Sequence, residues 1–176
     1  YQYFAKLDRP GSHRCYQTAK RLVARGHDVH VVTSDRHGKG GGDWEVEQID
    51  GFTVHRIANS YSNQMSYPRR LWSFFRFAWA SSVRASSLPT DLVFASSTPL
   101  TIAIPAVIAS RWRRVPMVFE VRDLWPDTPL AIGALRNPLL VWAARQLERF
   151  AYRNAARVIA LSPGMKDGVV RTGYPA

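Results

Sequence analysis

LVARGHDVHVVTS (Leu22–Ser34) decides the fold class. Cys15, Ala19, Leu22 and Val23 recur at helical spacing, with Ser12 placed to cap the helix and Gly26 placed to stop it. Val29–Thr33 (VHVVT) follows as a short apolar, β-branched run, which reads as a buried strand. The same alternation continues outward. Strands are expected at Phe52–Ile57, Leu92–Ala95, Met117–Val121 and Val158–Leu161. Helical patterns lie between them at Leu71–Leu88, Leu100–Arg113 and Leu139–Tyr152, and a short last helix opens at Pro163 behind Ser162. This order predicts an α/β, Rossmann-like parallel sheet with helices on both faces. Gly38–Gly42 (GKGGG) has no following helix and no Lys-Ser or Lys-Thr pair, so it reads as a connection between two strands and not as a phosphate loop.

The composition bounds the function. At 176 residues and 46% hydrophobic, the chain can bury a core, which excludes disorder as its main state. A single cysteine, Cys15, excludes an internal disulfide framework and fits a reducing compartment. No apolar run is long enough for a membrane span, and Leu100–Ala109 is interrupted by Pro105. The net charge is +11, spread over both halves, and 20 of the 24 cations are Arg. Such a field suits phosphorylated ligands, nucleic acid or an anionic membrane, and does not choose among them. No recognition helix and no basic-aromatic sheet signature accompanies it, so nucleic acid is not expected as a partner. Tyr1–Phe4 reads as the tail of a strand, and Gly173–Ala176 follows closely on a helix, so both ends look cut.

Ligands of open parallel sheets bind outside the carboxyl ends of the strands, where helices begin. Four exits carry polar residues here: Arg9-Pro10-Gly11-Ser12, Ser96-Ser97-Thr98-Pro99, Ser162-Pro163-Gly164, and Glu120-Val121-Arg122-Asp123-Leu124-Trp125-Pro126-Asp127. At the first three, free amides at a helix start favour an oxyanion, and plain capping explains the same residues. The fourth places three carboxylates (Glu120, Asp123 and Asp127) and a guanidinium at the end of a buried strand. A carboxylate there suits contact with a hydroxyl, and an Arg suits a phosphate; an internal Arg–Asp pair is the other reading. No metal is expected, because His13, His27, His30, His37 and His55 lack ligand spacing. In the helix at 71–88, Leu71, Trp72, Phe74, Phe75, Ala78, Trp79 and Val83 read as the core face. Arg69, Arg76 and Arg84, with Ser73 and Ala80, read as the outward stripe, and Phe77 lies on that basic side, which is either solvated or a membrane and lipid-carrier contact.

Four stretches carry a family resemblance. Leu22–Ser34 resembles the first-helix-to-second-strand signature of GT-B glycosyltransferases. FEVRDLWP (Phe119–Pro126), preceded by ASSTPLT (Ala95–Thr101), resembles family 4 of those enzymes, in the bacterial O-antigen and capsule branch that includes N-acetylfucosamine transferases. VIALSPGM (Val158–Met165) is similar to the last strand and helix start of their amino-terminal domain. The resemblance implies one half of a GT-B fold: residues 1–176 as the acceptor-side domain, with the nucleotide-sugar domain absent and the chain alone inactive. It implies transfer of a sugar, with retained configuration and without metal or other cofactor, from a nucleotide-sugar donor to a lipid-linked sugar diphosphate or glycan. Gly11 and Ser12 would face the donor diphosphate, with Ser97, Thr98, Glu120 and Ser162 around the ligand. Asp123 would contact the acceptor hydroxyl, and Arg122, standing where many relatives carry His, would meet phosphate or transition-state charge. The expected location is cytoplasmic, peripheral at the inner face of the plasma membrane. The other reading is a stand-alone Rossmann-type module for a phosphorylated small molecule.

Overall fold

The computed structural model describes residues 1–5, 13–35, 43–62, 65–97, 99–133 and 135–175. They form two compact units, divided between Ser81 and Ser82. The candidate residues Gly11, Ser12 and Thr98 lie outside the described residues.

The first unit holds α1 (Arg14–Val23), β1 (His30–Asp35), β2 (Trp44–Ile49), β3 (Phe52–Ala58) and most of α2 (Tyr67–Ser87). Its sheet has the order β1-β3-β2. β1 runs parallel to β3, with Val31 opposite Val54, and β2 is antiparallel to β3, with Val46 opposite His55. Tyr1–Phe4 lies along β1, as a strand tail would: the Ser34 N–H donates to the Gln2 carbonyl at 3.0 Å. The core gathers Tyr16, Ala19, Val31, Phe52 and Val54, with Cys15 half-buried against it. Phe52 receives Phe4 and Tyr16 edge-on, with ring centroids 6.0 and 5.8 Å away.

β2 is an addition to the expected elements. It is drawn into the sheet by Asp50-Gly51, whose positive φ values of 45° and 88° close a two-residue hairpin onto β3. The Tyr16 hydroxyl donates to the Asp50 carboxylate and ties the turn to α1. A Cβ on Gly51 would lie 2.8 Å from a Val23 methyl, in a backbone conformation that L-residues avoid. Gly51→Ala is therefore expected to lower stability by about 1–3 kcal/mol, measured by urea denaturation.

The second unit holds β4 (Val93–Ser96), a 3₁₀ turn (Leu100–Ile102) running into α3 (Ala103–Arg113), β5 (Met117–Val121), α4 (Asp127–Ala131), α5 (Pro138–Asn154), β6 (Arg157–Ala160) and α6 (Pro163–Arg171). The sheet order is β4-β5-β6, all parallel, with Phe119 between Ala95 and Val158. Phe119 is fully buried, and Tyr152 of α5 meets its ring edge-on at 6.1 Å. Helices flank this parallel sheet, and the α/β, Rossmann-like expectation holds. Pro at the first position and a side-chain cap start two of the helices: Asn137 accepts from Leu139 N–H at 2.9 Å, and Ser162 from Met165 N–H at 3.3 Å. α4 is a further addition, too short to show a period in sequence.

α2 departs in part from the expected orientation: Ala78 is buried and Arg69 and Arg76 are exposed as expected, but the aromatic residues change places. Phe77 is 2% exposed and buried beside Ser73, Ala78, Ser81 and Ser82, whereas Trp72, Phe75 and Trp79 face solvent. Phe77 is thus a core residue and not a membrane contact. The reason is that the buried serines satisfy themselves. Ser81 donates its hydroxyl to the Phe77 carbonyl at 2.6 Å, and Ser73 accepts from the amide of buried Asn59 at 3.0 Å, just past β3. Small, internally bonded side chains pack closely, so polarity alone misassigns this face. Arg69 and Arg76 are exposed, and Arg84 is half-buried.

Candidate functional site

The carboxyl ends of β4, β5 and β6 lie side by side, because all three strands run parallel in one sheet. Three of the expected exits leave from this edge: Ser96-Ser97 after β4, Arg122-Asp123 after β5, and Ser162 after β6. The β4–β5 ladder gains one rung beyond the strands, since Ser97 N–H donates to the Glu120 carbonyl at 2.8 Å. The Ser97 hydroxyl accepts from Arg122 N–H at 2.9 Å. The Ser96 hydroxyl donates to the Glu120 carboxylate at 2.6 Å.

Burial separates the roles. Ser96, Ser97 and Glu120 are 3%, 1% and 4% exposed, whereas Arg122 and Asp123 are half-buried and Ser162 is exposed. Glu120 is therefore a support and not the ligand contact expected of it: its carboxylate is shut in and hydrogen-bonded to Ser96. Ser97 is likewise buried, and its hydroxyl fixes the backbone of Arg122. The pair Arg122-Asp123 emerges from an edge that is rigid immediately beneath it.

The segment after Asp123 is held from a second side. A Cβ on Gly168 of α6 would lie 2.5 Å from a Leu124 methyl, so only glycine lets α6 approach so closely. Thr128 N–H donates to the Leu124 carbonyl at 2.8 Å and starts α4. The β5 and β6 exits are thereby coupled through Leu124 and Gly168. Beside Ser162 runs a groove of about 910 Å³ whose lining includes the cations Arg157 and Lys166, together with Val170 and Tyr174. Neither cation is evident in sequence reading, although Lys166 stands in the first turn of a strand-exit helix, where an anion would be met.

Elsewhere, two of the five histidines do come together. His30 Nδ1 and His55 Nε2 are 2.9 Å apart across β1 and β3, with their rings stacked at 5.2 Å. Among the described residues, no three His, Cys, Asp or Glu side chains gather as a metal site would require.

A parallel β-sheet flanked by helices, with polar side chains where the strands end, defines a Rossmann-like α/β domain, a fold in which that edge is where ligands bind. The family model for the glycosyl transferase 4-like domain matches residues 11–176, and the chain belongs to that family. No curated protein matches the chain significantly.

Proposed function

We propose that this chain is the amino-terminal, acceptor-side half of a retaining, metal-independent glycosyltransferase of cell-envelope polysaccharide synthesis, of the O-antigen or capsule type. The donor is a nucleotide sugar and the acceptor a lipid-linked sugar diphosphate or glycan, met at the cytoplasmic face of the membrane. The acceptor hydroxyl oxygen bonds to the anomeric carbon as the bond to the donor diphosphate breaks. The hydroxyl proton leaves with that diphosphate, on the face where attack occurs, so the configuration is kept. Asp123 orients the hydroxyl, and Arg122 offsets phosphate charge, that of the lipid-linked acceptor included.

The observation that supports this reading best is the Ser97–Arg122 bond, which fixes a half-buried Arg-Asp pair where acceptor and diphosphate would meet. The test is calorimetric titration of the chain with a short-chain polyprenyl diphosphate sugar. Arg122→Gln is expected to weaken binding roughly tenfold or more, the scale of one charge-assisted contact to a phosphate. Equal affinity of both proteins would reject the site. The chain by itself is expected to turn over no nucleotide sugar, because the resemblance places donor binding on a second Rossmann half; measurable turnover would reject that division of labour.

A further inference from the structure

The outer face of α2 has no part in the edge just described. Trp72, Phe75, Trp79 and Val83 are 71%, 57%, 75% and 60% exposed. Steps of three, four and four residues put them in one stripe along the helix. Arg69 and Arg76 are exposed along the same side of the helix. Scattered apolar residues are ordinary on a protein surface, but a continuous aromatic stripe marks a surface that something covers.

Its chemistry selects the occupant. Indole rings flanked by guanidinium groups suit the boundary between head groups and acyl chains, where the ring is buried and the polar groups stay wet. The charge is one-sided: from Gly51 to Thr90 the sequence holds five Arg and no Asp or Glu. Arg69 also borders an open depression with Ser62, Met65 and Ser66, where a head-group phosphate would find both a cation and hydroxyls. Among the described residues, no helix is long and apolar enough to cross a membrane, so α2 would lie on the surface.

We propose that Trp72, Phe75 and Trp79 of α2 insert into the head-group layer of an anionic phospholipid bilayer while Arg69 and Arg76 contact its phosphates. This deepens the membrane-borne acceptor reading and rests on it. The aromatic stripe supplies the insertion; Arg69 and Arg76 are shared with the stripe that sequence periodicity selects, whereas Phe77 is buried and takes no part.

The test is flotation of the chain with vesicles of phosphatidylcholine alone, or of phosphatidylcholine with about one-third phosphatidylglycerol. The intact chain is expected to float with the anionic vesicles and to lose most of that binding in high salt. Replacing Trp72, Phe75 and Trp79 together by Ser should weaken partition roughly tenfold or more, while circular dichroism stays unchanged, since all three are surface residues. Arg69→Gln with Arg76→Gln should remove the preference for anionic vesicles. A triple variant that floats as well as the intact chain would overturn the assignment of this face, for instance in favour of Trp112 or Trp142, and would leave the membrane reading standing. No flotation of the intact chain would remove both. A dimer that the triple variant converts to a monomer, with no vesicle binding, would overturn the proposal by giving the stripe to a second copy.

Discussion

In the enzyme that carries this domain, Asp123→Ala is expected to lower sugar transfer by roughly 10²- to 10³-fold. The magnitude follows from the proposed role. A carboxylate that orients the attacking hydroxyl supplies a charge-assisted hydrogen bond, and its loss also releases the nucleophile from its line of approach. Of the two carboxylates at the end of β5, Glu120 and Asp123, Asp123 is the one with access to solvent, since Glu120 is buried against Ser96. Steady-state kinetics locate the defect. kcat should fall and KM for the acceptor should rise, with KM for the donor nearly unchanged. Asp123→Asn, which keeps one acceptor oxygen, should recover part of the loss. A purely structural Asp123 would instead show its defect in melting temperature, with the kinetic constants of the surviving folded protein intact. That outcome would remove Asp123 from the reaction.

The two units differ in how readily the sequence discloses them. Sheet β4-β5-β6 is legible, because its parallel strands are short apolar runs; Met117–Val121, the buried central one, ends where its hydrophobic run ends. β2 is not legible by hydrophobicity, since WEVEQI (Trp44–Ile49) is a half-exposed edge strand carrying two glutamates. Its signal is Asp50-Gly51, a hairpin marker that outweighs the polarity of the strand before it. α2 fails for a related reason. Periodicity counts apolar residues and assigns them inward, but Ser73, Ser81 and Ser82 are small enough to be buried and find partners there, while tryptophans a turn away stay outside. At the candidate site, residue types and strand ends point to Arg122-Asp123. The division of labour does not show in sequence, because whether Glu120 faces a ligand or Ser96 depends on the pairing of β4 with β5.

Glu148→Gln is expected to stabilise the protein by about 2–3 kcal/mol at pH 8 and to change nothing at pH 4. Glu148 sits on α5, 6% exposed, and accepts from the Tyr152 hydroxyl at 3.1 Å one turn along the helix. Burial raises its carboxyl from the ordinary 4.5 to about 7, with Asp127 adding to the rise and the Tyr152 hydrogen bond, Arg145 and Arg149 opposing it. A carboxyl whose folded value exceeds its unfolded one holds its proton in the native state while the unfolded chain gives it up. Stability therefore falls as pH rises from about 4.5 to about 7, and levels off above that, when both states are ionised. At about 1.4 kcal/mol per pH unit, that window amounts to roughly 3 kcal/mol. Glutamine keeps the acceptor for Tyr152 and has no proton to lose, so it removes the pH-dependent part alone. Urea denaturation of both proteins across this range measures the difference directly. A constant offset at every pH would assign the effect to packing around Phe119 and Tyr152. A difference that opens between pH 4.5 and 7 and then stays flat assigns it to the buried proton, which the native fold retains up to neutrality.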